Sequence, residues 1–149
     1  MFRPAVALAA LTLSGLAWAD DGCSTTVHGT DQMTFDETAI TVPAACKQFT
    51  VTLEHPGEMP KSVMGHNWVL TQPQDEEGVI NDGAAAGIDS DYLKPGDTRI
   101  LAHTPLIGAG ETASVTFQTS QLKAGTAYTY FCSFPAHALV MKGTLSLGS

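Results

Sequence analysis

Three side chains that bind soft metal ions stand close together near the C-terminal end of the chain. Cys132, His137 and Met141 have the spacing C-x4-H-x3-M, and a second imidazole, His66, lies far upstream. Thiolate and thioether favour Cu(I), whereas imidazole suits both Cu(I) and Cu(II). Two His and one Cys with a weak axial Met are typical of copper sites that transfer single electrons. The pattern therefore predicts a one-copper redox site built from these four residues.

Alternatives to copper explain less of this pattern. Zinc can use the same Cys and His ligands, but a Met ligand adds nothing for zinc. A Met near a Cys usually packs in a core, and a His beside a Trp is often a hydrogen-bonded core residue. A copper storage or delivery module, or a Cys132-nucleophile enzyme, are alternative functions. A delivery module usually needs an exposed Met-rich or His-rich site, and a nucleophile needs a general base and an oxyanion hole. Neither signature is visible in the sequence.

The chain also resembles the azurins, blue copper proteins of the cupredoxin family, over almost all of residues 22–149. The segments that carry this resemblance are Asp31-Gln-Met33, Ala39-Ile-Thr-Val42, Cys46-Lys-Gln-Phe-Thr-Val51, Val63-Met-Gly-His-Asn-Trp-Val-Leu70, Asp91-Tyr-Leu-Lys-Pro95, Leu106-Ile-Gly108, Ser114-Val-Thr-Phe117 and Met141-Lys-Gly-Thr-Leu145. The resemblance implies a periplasmic electron carrier, not an enzyme, that cycles one copper ion between Cu(I) and Cu(II).

Further site residues follow from this resemblance. The backbone carbonyl of Gly65 is expected to be a weak contact opposite Met141, Asn67 to tie the ligand segments together, and Phe134 to shield the loop. An apolar patch around the edge of His137 is expected to dock redox partners, such as c-type cytochromes and nitrite reductase. Its predicted members are Met64, Val79, Ala84, Ala136, Leu139 and Val140. Two of them depart from the family pattern, because Ala84 replaces a Met and Ala136 replaces a Gly.

The N-terminal segment has the features of a secretory signal. Arg3 is followed by an apolar stretch, and Ala17-Trp-Ala19 matches an A-x-A cleavage pattern. The apolar stretch is too short for a membrane span. We therefore predict a cleaved signal peptide at residues 1–19, a single copper-binding domain at residues 20–149 and a periplasmic location.

Charge narrows the classes of partner. Residues 20–149 carry six Lys and Arg against fifteen Asp and Glu, a net charge of −9. The sequence has no basic run, which argues against nucleic acid and anionic membranes as partners. We expect a monomer that forms weak, transient complexes.

The odd number of cysteines fits a metal site in an exported chain. Cys23 and Cys46 are expected to form a disulfide, which an oxidising compartment allows; the family resemblance implies the same pairing. Cys132 is then left over. A metal-bound thiolate explains this third cysteine better than a free exposed thiol does.

Alternating apolar and polar residues predict an all-β fold. The clearest strands are Phe49–Leu53, Ala113–Phe117, Tyr128–Cys132 and Gly143–Leu147, separated by Pro- and Gly-rich turns. This arrangement indicates a Greek-key two-sheet sandwich, cupredoxin-like. Residues 75–87 lack the alternation and predict one short external helix, although Gly78 and Gly83 weaken it.

Three other histidines are expected to lie outside the ligand set. His55 is expected to be a buried histidine near the patch whose titration could make the reduction potential pH-dependent, and His103 a surface residue. His28 has no assigned role.

Overall fold

Residues 22–149 are described by a computed structural model, and the predicted signal peptide lies outside this part of the chain. They form eight strands and two α-helices, with short 3-10 turns between them. The strands are β1 (Ser24–His28), β2 (Ala39–Val42), β3 (Gln48–Glu54), β4 (Val69–Thr71), β5 (Ile100–His103), β6 (Thr112–Gln118), β7 (Ala127–Phe131) and β8 (Lys142–Leu147). The helices are α1 (Lys61–Met64) and α2 (Glu76–Ala86).

The strands build the two-sheet sandwich that the alternation predicts. One sheet has the order β1-β3-β6, and the other has the order β2-β8-β7-β4-β5. Two pairs, β1 with β3 and β2 with β8, are parallel, whereas the remaining pairs are antiparallel. The mixture of directions shows that the chain crosses between the sheets instead of forming simple hairpins.

Apolar side chains from the two sheets meet in one core. Phe49, Val51 and Leu53 point inward from β3, as their alternation predicts. Trp68 lies at the centre with no exposed surface and stacks on Tyr130, with ring centroids 5.4 Å apart. Burial of aromatic and branched side chains of this kind supplies the main stabilisation of such a sandwich.

Strand β7 differs from the half-buried strand that the sequence predicts. Tyr130 packs in the core between the sheets, but Phe131 packs on the outer face with Val69 and Val79. The reason is α2, which covers that outer face through Val79. The prediction of one solvent-facing side was therefore wrong for β7, because the helix excludes water from it.

The external helix occupies the predicted position. A 3-10 turn at Pro73–Asp75 leads into α2, which ends before Gly87. Gly83 faces inward, and a Cβ at this position would collide with the carbonyl oxygen of Tyr92. The glycine that weakens the sequence-based helix prediction is thus required by close packing.

The predicted disulfide is present. Cys23 and Cys46 are bonded and close a loop with a sequence separation of 23 residues, and Cys132 is free and buried. A closed loop of this size contributes about 3 kcal/mol to stability in the chain-entropy description.

Candidate metal centre

The predicted ligands come together because β4 begins beside the point where its antiparallel neighbour β7 ends. Val69 of β4 pairs with Phe131 of β7. The segment before Val69, with His66, and the segment after Phe131, with Cys132, therefore lie at the same end of the sheet. His66 is fixed by an isolated antiparallel bridge to Ile107, with backbone hydrogen bonds of 3.0 and 2.8 Å.

The loop from β7 to β8 is closed by its own backbone. The amide of Cys132 donates to the carbonyl of Met141 at 3.0 Å, and the amide of Met141 donates to the carbonyl of His137 at 2.8 Å. The amide of His137 in turn donates to the carbonyl of Phe134 at 2.9 Å. Three predicted ligands are thus held in one loop by main-chain hydrogen bonds.

Three donor atoms converge in a buried site. The Sγ of Cys132 lies 3.5 Å from Nδ1 of His137 and 3.9 Å from Nδ1 of His66. Donors about 2.0–2.3 Å from one ion in a trigonal plane lie roughly 3.5–4.0 Å apart. Within residues 22–149, this is the only group in which three or more His, Cys, Asp or Glu side chains could hold one metal ion.

The protonation of His66 suits a ligand. Its Nε2 donates a hydrogen bond to the carbonyl of Thr30 at 2.9 Å, which leaves Nδ1 unprotonated and facing Cys132. Burial, with a smaller contribution from the charge of His55, lowers the pKa of His66 to about 4. Burial also lowers the pKa of His137. Both imidazoles are therefore in the neutral form that binds metal at neutral pH.

Cys132 has no exposed surface. Burial raises the pKa of its thiol to about 12, although backbone N–H groups of Asn67 and Phe134 that bond to the sulfur oppose the rise. The thiol must lose its proton when a metal binds, so metal affinity will increase as the pH rises toward the pKa of the thiol. The two N–H donors then remain in place to stabilise the thiolate.

Asn67 joins the two ligand segments through its side chain. Its Oδ1 accepts from the amide of Ser133 at 2.8 Å, and its Nδ2 donates to Oγ of Ser133 at 2.8 Å. The same Nδ2 donates to the carbonyl of Asp91 at 2.9 Å. Sequence reasoning identified Asn67 but missed Ser133 and Asp91; the position of Ser133 directly after the predicted ligand Cys132 was the available signal.

The predicted axial contacts also lie in this region. The carbonyl oxygen of Gly65 is 3.8 Å from Sγ of Cys132, and Met141 is fully buried in the same core cluster as Cys132. A side chain at position 65 would collide with the carbonyl of Lys61 and the side chain of Leu106. Gly65 is therefore needed for close packing of the backbone at this point.

Aromatic rings surround the two imidazoles. Phe134 lies against His137, with ring centroids 4.5 Å apart. His55 is buried and packs on His66 at 4.4 Å, and its Nε2 donates to Asp31 at 2.9 Å. Sequence reasoning missed Thr30, which fixes His66 through a backbone carbonyl that no sequence pattern reveals.

The remaining histidines lie outside the donor group. His103 is exposed, and its Nδ1 lies 3.1 Å from the carbonyl of Thr104. His28 is clamped between the carboxylates of Asp36, at 2.6 Å, and Glu54, at 3.3 Å.

Most residues of the predicted docking patch reach the surface. Leu139 is 80% exposed and Val140 is 60% exposed, Ala84 and Ala136 are exposed, and Met64 is half-buried. The structure corrects the assignment of Val79, because its side chain lies on the inner face of α2, is fully buried with Val69 and Phe131 and cannot contact a partner. His137 is 3% exposed beside this patch, whereas His66 and Cys132 have no exposed surface.

The donor set fits copper. One thiol and two neutral imidazoles face one another in a rigid site, a soft and mixed donor set that suits both oxidation states of copper.

The longest helix among the described residues has 11 residues, and none of their helices could span a membrane.

Comparisons with known proteins agree with this site. A family model of copper-binding proteins of the plastocyanin/azurin family matches residues 21–148. The chain is 62% identical to an azurin from Pseudomonas denitrificans over 125 residues, which cover 84% of this chain and 98% of that protein. It is 54% identical to an azurin from Pseudomonas aeruginosa over 147 residues, 99% of each chain.

A third relative, azurin-1 from Alcaligenes xylosoxydans xylosoxydans, is 58% identical over 125 residues, which cover 84% of this chain and 97% of that protein. The family match spans the strands, the external helix and all the predicted ligands. The chain therefore belongs to the plastocyanin/azurin family of copper-binding proteins.

Proposed function

We propose that this protein is a periplasmic one-electron carrier whose copper is bound by His66, Cys132 and His137. Met141 and the Gly65 carbonyl are the weak axial contacts of this proposal. The observation that carries it is the convergence of a thiol and two imidazole Nδ1 atoms within 4.8 Å of one another in a buried site. The proposed periplasmic location rests on the signal peptide predicted at residues 1–19. The proposed copper-binding domain is residues 20–149.

Bound copper supplies the one-electron change between Cu(I) and Cu(II). The protein contributes rigidity, because hydrogen bonds of Asn67 and of the β7–β8 loop backbone hold the ligand segments together. It also contributes exclusion of water, since His66 and Cys132 have no exposed surface. A site that cannot rearrange keeps nearly the same geometry in both oxidation states, which favours rapid electron transfer.

Burial of the donors also supports electron transfer over catalysis. Cys132 and His66 have no exposed surface, so neither side chain is open to a substrate, and nucleophilic catalysis at Cys132 would need such access. Among the four proposed side-chain ligands only His137 has exposed surface, 3%, and it precedes the exposed Leu139 and Val140 in the same loop, so we infer that the electron reaches a docked partner through its imidazole. A small apolar surface suits brief redox encounters, and we propose c-type cytochromes and nitrite reductase as partners.

Visible spectroscopy of the copper-loaded protein tests this function. We expect an intense blue band from the copper–thiolate bond that is bleached reversibly by a reductant and is absent in Cys132→Ser. His103→Gln is the matched control, because it removes a histidine outside the donor group and should leave the band unchanged. A colourless wild-type protein that still binds copper tightly would exclude the electron-carrier function and favour storage or delivery.

A further inference from the structure

A groove lies between α2 and the β7–β8 loop, beside the exposed docking-patch residues Leu139 and Val140. Its volume is about 480 Å³. Its apolar lining comes from both sides, with Pro73 and Ile80 from the helical segment and Ala136, Ala138 and Leu139 from the loop. A groove with this lining can receive the side chains of another protein, but the apolar surface alone does not say which kind.

The charges around the groove indicate the chemistry of its occupant. Glu76 and Glu77 line it, and Asp75 immediately precedes them. No Lys or Arg occurs between residues 62 and 93, whereas six Asp and Glu occur in this stretch. This side of the docking surface is therefore acidic over a continuous segment, and a cationic partner is attracted to it.

The cations that the fold brings to this segment are already paired. Among residues 22–149, Lys142 is the only cation that lines the groove, and it is 3.1 Å from Glu76. Arg99 and Lys94 both pair with Asp82, at 2.7 and 3.4 Å. Among the described residues, no Lys or Arg lies within ion-pair distance of Asp75 or Glu77. We call these two residues the acidic flank.

We propose that this groove and the acidic flank dock a redox protein that presents lysine or arginine side chains beside an apolar face. The inference rests on the proposed function, because it identifies the class of partner for the same centre. The apolar groove and Leu139 provide the desolvated contact, and the acidic flank accelerates association and orients the partner. Pairs at such a rim act mainly on the association rate, so docking depends on ionic strength.

The test uses a small c-type cytochrome whose haem edge is ringed by lysines as the probe. The Asp75→Asn/Glu77→Gln double variant removes two charges from the acidic flank and keeps side-chain size. The control, Glu37→Gln/Glu54→Gln, removes the same net charge elsewhere; Glu54 belongs to β3, in the three-stranded sheet, whereas α2 covers the five-stranded sheet.

Two measurements distinguish this inference from the proposed function. Titration of the metal-free, ¹⁵N-labelled protein with the cytochrome should shift the amide signals of Glu77, Ile80 and Leu139 and leave Glu54 unchanged. Stopped-flow mixing of the copper-loaded protein with the cytochrome should give a rate about 3–10-fold lower in the acidic-flank variant at low salt, and a control rate within about twofold of wild type. The difference should vanish at about 0.5 M salt.

Equal slowing in both double variants would show that only net charge matters and would overturn the proposed docking surface. Amide shifts confined to other surfaces would overturn it as well. A protein that shows the expected shifts without a blue copper band would instead contradict the proposed electron-carrier function. The two failures therefore have different signatures.

Discussion

Ala136, directly before the predicted ligand His137, adopts a backbone conformation that alanine disfavours. Its φ is 69° and its ψ is −13°, in the left-handed region. An L-residue in this region costs about 1–2 kcal/mol, which glycine avoids. Glycine, however, gains more freedom in the unfolded chain, worth about 0.4–1 kcal/mol. Since the Ala136 methyl is exposed and adds little burial, Ala136→Gly should stabilise the protein by about 0.5–1 kcal/mol.

Ala84→Gly is the matched control, because it makes the same substitution at an exposed position within α2. Glycine within a helix costs about 0.5–1 kcal/mol, so the two substitutions should change stability in opposite directions. Urea unfolding of the metal-free protein measures both, with the fluorescence of the fully buried Trp68 as the signal. Metal-free protein is used because bound metal would add its own stabilisation.

The reasoning is refuted if Ala136→Gly lowers the free energy of unfolding as Ala84→Gly does. That result would mean that the loop does not hold position 136 in the left-handed conformation in solution. A stabilised variant with an unchanged copper spectrum would show that the strain is local to the peptide before His137 and does not set the ligand geometry.

Two other substitutions test the ion pair of His28 and the hydrogen bonds by which Asn67 joins the two ligand segments, which we call the Asn67 clamp. The hydrogen bond to Asp36 raises the pKa of His28, so this pair should stabilise the fold most below pH 6.5 and lose its effect as the pH rises through the folded-state pKa. His28→Gln should therefore destabilise the protein more at pH 5.5 than at pH 9, by less than about 1 kcal/mol because the pair is exposed to solvent; unfolding curves with equal differences at both pH values would contradict this. Asn67→Ala removes three hydrogen bonds in a buried site and should cost about 2–4 kcal/mol. The exposed Asn81→Ala is its control, and similar losses in both would exclude a special role for the clamp.

Much of the fold is visible in the sequence because local patterns determine it. The alternation in Phe49–Leu53 and Ala113–Phe117 predicts strands that the structure confirms. The position of α2 is likewise marked by lost alternation and a preceding Pro. Which strands pair cannot be read in this way, because the parallel pairing of β1 with β3 joins segments whose patterns carry no information about each other.

The candidate site divides in the same manner. The side-chain chemistry of Cys132, His137 and His66 identifies them at once, whereas the carbonyl of Thr30 that orients His66 has no sequence signature. Family resemblance places Val79 in the patch, but the direction of its side chain depends on how α2 packs on the sheet. Sequence therefore gives the donors, and tertiary packing decides which neighbours support them.

The burial of Cys132 has a consequence for the chain before it acquires metal. Disulfide exchange and oxidation to sulfenic acid both proceed through an accessible thiolate. The Cys132 thiol has no exposed surface, and its pKa of about 12 keeps it protonated at neutral pH. We therefore expect the folded chain to resist both exchange of the Cys23–Cys46 bond with Cys132 and oxidation of the Cys132 sulfur. The folded protein can therefore keep the Cys132 sulfur as a thiol until copper binds.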